Sequence, residues 1–96
     1  MRADYDSTAN ALSIAIIDAA HADKSDEIHS RAIVALVNGK PVEVQLLYPD
    51  MGVDEPLAAV ADRYGLDLEA LHAAAQSALA APDRVVVLEV TGRPAA

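Results

Sequence analysis

The dipeptide Asn38-Gly39 separates two runs rich in aliphatic residues, and it constrains the fold more than any other feature of the sequence. Asn-Gly is a strong signal for a type I′ turn, because both central residues of that turn need a positive φ. The flanking segments 31–37 and 40–48 are therefore predicted to form an antiparallel hairpin. Opposing Val37 with Lys40 gives one apolar face, which we expect to be buried: Ile33, Ala35, Val37, Val42, Val44 and Leu46.

Further strands are predicted on both sides of this hairpin. Residues 2–6 alternate polar and apolar side chains and precede a turn, whereas residues 11–17 are apolar on both faces and are expected to be central. The polar stretch 19–27 is interpreted as a loop. The β-branched run 84–91 is interpreted as a final strand with both faces partly covered.

Two helices are predicted within residues 54–81, where apolar residues recur at helical spacing. Asp54 is the expected N-cap of the first helix, and Gly65 is expected to end it in the left-handed conformation. Asp67 should cap the second helix, and Pro82 should stop it.

These elements predict an α+β fold, an antiparallel sheet of about five strands with an αα-hairpin on one face. We expect a single domain, residues 1–96, with a β-meander at 2–49, a helix pair at 54–81 and a final strand at 84–91. Aromatic residues make up only 3% of the chain, so aliphatic side chains must fill the core. The expected core residues are Leu12, Ile14, Ile16, Ile33, Val44, Leu46, Leu57, Val60, Leu71, Leu79, Val86 and Leu88.

The composition restricts the classes of function. The formal net charge of −8 disfavours nonspecific binding to nucleic acid or anionic lipid, although it suits a basic protein partner. The chain contains no cysteine, which excludes disulfides and thiolate chemistry and fits the cytoplasm best. The apolar runs are too short to span a bilayer, and no signal peptide follows Met1.

The segment 60–71 resembles the turn of a helix-turn-helix motif, because Ala61 precedes Gly65 by four residues and Asp67 follows as a capping residue. The second helix would then read DNA, yet it contains no Lys or Arg. Residues 54–81 hold five acidic residues and one arginine, a net charge of −4. A plain αα-hairpin that covers a sheet is therefore the favoured interpretation.

The sequence predicts no catalytic, cofactor-binding or metal-ligating residue. His21 and His29 lie near acidic residues of the 18–27 stretch, which leaves a small metal-assisted hydrolase as one hypothesis. His72 lies beside the apolar stripe of the second helix and is interpreted as a helix-flank residue. No serine occurs in a G-x-S-x-G context, and the four glycines are dispersed. The pattern thus favours a noncatalytic protein.

The alanines of the second predicted helix leave a smooth surface against which another helix or sheet can pack closely. Together with the two-faced strands at 11–17 and 85–90, this surface predicts a homodimer. The function that we expect is a protein-interaction module that self-associates.

The N-terminal segment Tyr5-Asp6, Ala9-Asn10-Ala11-Leu12 and Ile14 is similar to the opening of a bacterial family known as domain of unknown function 2283. The resemblance covers about the first 17 residues and implies a β-meander without known catalytic residues. It also implies an antitoxin-like role, because some members of that family accompany toxin genes. Together with the helix-turn-helix resemblance, this leaves an antitoxin-like or DNA-associated regulator as an alternative function.

Overall fold

The computed structural model describes residues 1–17 and 21–88, which contain six strands and two α-helices. One antiparallel sheet has the strand order β3-β4-β5-β2-β1-β6. The α+β class is confirmed, with six strands where about five were predicted. The elements are β1 (Arg2–Asp6), β2 (Ala11–Ala15), β3 (Lys24–His29), β4 (Ala32–Val37), β5 (Lys40–Leu47), a 3-10 turn (Pro49–Met51), α1 (Asp54–Tyr64), α2 (Leu68–Ala80) and β6 (Val85–Val87).

The additional strand is β3, which contains positions 24–27 of the stretch interpreted as a loop, whereas positions 19–20 lie outside the described residues. It lies at one edge of the sheet and pairs with β4. Its polar side chains gave no apolar alternation because an edge strand of this kind is largely exposed to water. Asp26 accepts a 2.6 Å hydrogen bond from the hydroxyl of Tyr64 in α1, and Ile28 packs against the core.

The order of the strands differs from a simple meander over residues 2–49. β1 and β2 form a hairpin, and β3, β4 and β5 form a separate meander. The two units join where β2 pairs with β5, so β2 is central, as predicted. β6 pairs with β1 at the other edge, and positions 89–91 of the predicted final strand lie outside the described residues.

The Asn38-Gly39 turn is confirmed, since φ is 52° at Asn38 and 78° at Gly39. The register predicted beyond it is wrong. Leu36 opposes Pro41, but Ala35 opposes Glu43, so Val42 is an extra residue in a β-bulge.

The bulge changes which residues of β4 face the helices. Val34 opposes Val44 and is fully buried, whereas the predicted core residue Ile33 opposes Gln45 on the other face and is half-buried. Both residue sets of β4 are apolar, so the pattern alone did not distinguish them. The pairing of β4 with β5 is interrupted beside Pro41, which has no N–H to donate to the neighbouring strand. The predicted inward set of β5 is confirmed at Val42, Val44 and Leu46.

The observed ends of the helices agree with the predicted capping residues, except at the start of α1. Gly65 is left-handed with φ 65°, and the N–H of Leu66 donates to the carbonyl of Ala61 at 3.0 Å. Asp67 caps α2 by accepting from the N–H groups of its first turn. Asp54 is not the N-cap of α1. It is the first helical residue, after an N-cap at Val53 that has no side-chain hydrogen bond.

Both helices pack on the same face of the sheet, α1 over β3, β4 and β5 and α2 over β1, β2 and β6. The buried core between them confirms most of the predicted residues: Leu12, Ile14, Val44, Leu46, Leu57, Val60 and Leu71. Four further predicted residues are only partly buried: Ile16, Leu79, Val86 and Leu88.

Asn10 fixes the β1–β2 hairpin against the rest of the chain. It has a positive φ of 52°, its side-chain oxygen accepts from the hydroxyl of Tyr5, and its carbonyl accepts from the N–H of Tyr48. Its amide nitrogen donates to Asp50 at 2.9 Å. Asp6 in turn accepts from two backbone N–H groups of the hairpin turn. The polar residues of this segment therefore hold a turn together.

The bulged register makes a prediction for stability. Val34→Thr places a hydroxyl in the fully buried face and should lower the free energy of unfolding by about 1–3 kcal/mol. Ile33→Thr removes more apolar atoms, but Ile33 lies on the half-buried face, so this variant should lose less free energy of unfolding. Urea denaturation of both variants measures the difference. A larger loss for Ile33→Thr would contradict the register.

Candidate interaction surface

The face of the sheet opposite the helices is not covered by any element within residues 1–17 and 21–88. The strand register arranges this uncovered face in two rows. One row is Glu27, Ile33, Gln45, Ser13, Asp4 and Val85, and the other is Ser25, Ala35, Glu43, Ala15, Arg2 and Val87. The first row contains two carboxylates and the second row contains one carboxylate and one arginine, which makes this a hydrated surface rather than a second core.

The two edges of the sheet differ in charge. The outer strand β3 carries Lys24, Asp26 and Glu27 and has an irregular register near its end, and both features oppose pairing with another chain. The outer strand β6 carries only valine. Val85 is 62% exposed and Val87 is 72% exposed, so the expectation that this strand is partly covered on both faces is wrong for one face.

The backbone of β6 presents hydrogen-bonding groups to solvent. Met1 and Leu88 exchange two hydrogen bonds, of 2.9 Å from the terminal amine and 2.8 Å from the amide of Leu88. Antiparallel pairs alternate between bonded and non-bonded, so Val86 is bonded to β1, while the N–H and C=O groups of Val85 and Val87 point outward. In the described part of the chain, no strand pairs with that side of β6.

Asp83 sets the position at which the chain enters β6. It has a positive φ of 63°, and its N–H donates to the carbonyl of Tyr5 at 2.7 Å. Its carboxylate accepts from the backbone N–H of Ser7 at 2.9 Å and from the hydroxyl of Ser7 at 2.7 Å. These bonds favour the charged form and hold the pKa of Asp83 below its ordinary value. No sequence pattern indicated this contact, because it joins positions 76 residues apart.

The alanine-rich surface of α2 is used largely within the chain. Ala74, Ala75 and Ala78 are fully buried against the sheet. His72 lies on the flank toward α1, where it contacts Asp54, so the opposite flank of α2 points toward β6. That flank is also small and is half-buried: Ala70, Ser77 and Ala81.

The histidines have separate partners. His29 Nδ1 accepts from the N–H of Arg31 at 3.1 Å, so in the neutral ring Nε2 carries the proton and donates to Glu55 at 2.9 Å. This hydrogen bond lowers the pKa of Glu55, and the positive charge of the ring adds to the effect when His29 is protonated. His21 is exposed. Within the described residues, no group of three His, Asp or Glu side chains could hold a metal ion.

An open groove of about 440 Å³ contains the third histidine. The ring of His72 lies 3.0 Å from Asp54, and both side chains are well exposed. The other lining residues are Leu68, Glu69 and Ala73, none of which is a nucleophile that the histidine could activate. The groove therefore has no serine, threonine or cysteine beside the histidine.

The helix pair lies on the sheet with its apolar stripe inward. Leu71 and the three buried alanines of α2 contact the sheet layer, and the outward positions include Glu69, Ala73 and Gln76. A helix that reads the major groove must present donors to bases and phosphates. The helix α2 contains no Lys or Arg that could contact phosphate.

Comparisons of the chain with protein-family models, curated proteins and solved structures give no match. The resemblance of Tyr5 to Ile14 to domain of unknown function 2283 therefore stays a prediction. None of the helices in residues 1–17 and 21–88 has the length and apolar character needed to cross a bilayer.

The contact between Asp83 and Ser7 makes a prediction for pH. The pKa of Asp83 should lie below 3.8 in the folded chain, and Ser7→Ala should raise it part of the way, since the backbone N–H still donates. The stability from this contact is present above the unfolded pKa and is lost as the pH falls through the folded pKa. Titration of the carboxyl carbon by NMR measures both values.

Glu55 is the internal control for that titration, because its pKa is lowered by His29 and not by Ser7. It should be unchanged in Ser7→Ala. An unchanged pKa of Asp83 in the variant would contradict the hydrogen bond from the hydroxyl.

Proposed function

We propose that this chain is a noncatalytic protein-interaction module that self-associates. The observation that supports the proposal most is the exposed, uncharged outer strand β6, with Val85 and Val87 open to water and their backbone groups pointing outward. An exposed apolar edge is a ready template for pairing with another strand. The opposite edge of the same sheet carries charges that oppose such pairing.

Pairing at β6 would be favourable for two reasons. It would shield one side of each exposed valine side chain from water, at roughly 25 cal/mol per Å² of apolar surface buried. It would also give protein partners to the outward N–H and C=O groups. A second copy presents the same strand with the same alternation, so the contact can be isologous and closed.

The uncovered face of the sheet supports this choice of surface indirectly. Stacking two copies face to face would bring the carboxylates of Asp4, Glu27 and Glu43 toward those of the partner. Like charges that are desolvated together destabilise a contact.

The absence of cysteine supports the cytoplasm as the compartment in which the module acts.

A basic partner protein is the second candidate, and the same carboxylates favour it. The net charge of −8 and the carboxylates of Asp4, Glu27 and Glu43 on the uncovered face suit the masking of a positively charged surface, as in the antitoxin-like hypothesis. Binding of this kind should weaken steeply with salt, whereas pairing of valines should not.

Solution mass tests the proposed self-association. We expect light scattering to give twice the chain mass at micromolar concentration, and Val87→Lys to give a monomer, because a lysine on the edge opposes pairing. The matched control is Met51→Lys, which changes a similarly exposed apolar side chain outside the sheet, at 68% exposure. The control should keep the dimer mass.

Circular dichroism should report the same fold for both variants. A wild-type chain that remains strictly monomeric at micromolar concentration would overturn the proposal. Equal loss of association in both lysine variants would show that β6 is not the surface.

A further inference from the structure

We infer that two copies pair antiparallel through β6 with the two-fold axis at Val86, so that two six-stranded sheets become one continuous sheet. This inference rests on the proposed self-association and specifies its geometry. In this arrangement Val85 lies opposite Val87 of the partner subunit, and Val86 lies opposite the partner's Val86.

The hydrogen-bond pattern of β6 selects this register. The outward groups belong to Val85 and Val87, because Val86 is bonded to β1. An axis at Val86 places each outward residue opposite another outward residue, which makes two bonded pairs of two hydrogen bonds each. An axis at Val85 or Val87 would leave only one bonded pair within the three residues of β6.

The charges on the uncovered face agree with this register, although their effect is small, because the charged residues lie three strand spacings, roughly 14 Å, apart. Asp4 is the neighbour of Val85 in its row, and Arg2 is the neighbour of Val87. With the axis at Val86, each row runs from Asp4 through the two valines to Arg2 of the partner subunit, so opposite charges flank the contact. An axis at Val85 would instead align Asp4 with the partner's Asp4, which is unfavourable.

The helix layer provides the remaining contact. The flank of α2 toward β6 carries Ala70, Ser77 and Ala81, and the two-fold axis would bring it beside the same flank of the partner. Small side chains let two helices approach closely. A stable interface needs about 1,200–2,000 Å² in total, which three edge residues cannot supply alone. The additional area would have to come from the surfaces beside β6, of which the helix flanks are the ones that face each other across the axis.

Disulfide trapping tests this register, since the wild-type chain has no cysteine. In the Val86→Cys variant, the two cysteines form a non-bonded pair with Cα atoms about 4.5 Å apart, within the range of a disulfide. In the Val85→Cys variant, the two cysteines are displaced by two residues and lie roughly 8 Å apart, which is too far. Mild oxidation and non-reducing electrophoresis separate the two cases.

A second variant leaves the half-buried Val86 unchanged, so it controls for a folding defect caused by Val86→Cys. Val85→Cys combined with Val87→Cys changes only exposed side chains and places a cysteine opposite each cysteine of the partner. We expect covalent dimer in this double variant and in Val86→Cys, with at least severalfold less in either single variant at Val85 or Val87.

The outcomes separate the register from the proposed function. Covalent dimer in Val85→Cys alone would overturn the axis at Val86. A dimer mass by light scattering under reducing conditions, with no covalent product in any variant, would show that self-association uses another surface. A monomer mass throughout would overturn the proposed function itself.

Discussion

Burial of one face of the sheet beneath α1 and α2 is the constraint on which this structure depends. The chain has no Phe or Trp, so the buried layer consists of aliphatic side chains, of which each Val, Leu or Ile contributes about 1.5–3 kcal/mol and each Ala less. The fully buried alanines of α2 let the helix backbone approach β1 and β2 closely, which keeps a layer of small side chains densely packed. Stability is therefore spread over many modest contacts.

The polar side chains at the elements' ends act mainly on the backbone. Asn10 and Asp6 close the β1–β2 turn, Asp67 caps α2, and Asp83 positions β6 against Ser7. The N-terminal pattern from Tyr5 to Ile14 fits this role, since its tyrosine and asparagine are joined by a hydrogen bond rather than directed into a cavity. These residues specify turns and helix ends through hydrogen bonds to their own neighbourhood or to Ser7.

The features that were predictable from the sequence are those set by local chemistry. Asn38-Gly39, Gly65 and Asp67 each act through the φ angle or the hydrogen bonds of their own neighbourhood, and all three are confirmed. The inward face of β5 was equally clear because Glu43 and Gln45 alternate with apolar residues.

The features that were missed depend on distant partners. β4 is apolar at every position, so only the bulge beside Pro41 decides that Val34 rather than Ile33 is buried. The strand β3 is recognisable only by its pairing with β4, because its own side chains are mostly polar. The exposure of Val85 and Val87 follows from the position of β6 at the edge, which three consecutive valines do not reveal.

A chain of this size buries a limited share of its surface, so where it leaves apolar groups exposed matters for what it can bind. The helices cover one face of the sheet, carboxylates keep the other hydrated, and the charges of β3 protect one edge. Among the described strands, β6 alone combines an outer position with side chains that are entirely apolar. The contact between Asp83 and Ser7 holds the start of this strand in place, which lowers the entropy cost of adding a further strand to it. A preformed, uncharged edge beside a small-residue helix flank is suited to recognition by shape and backbone hydrogen bonds, which are the same features that a second copy of this chain can match.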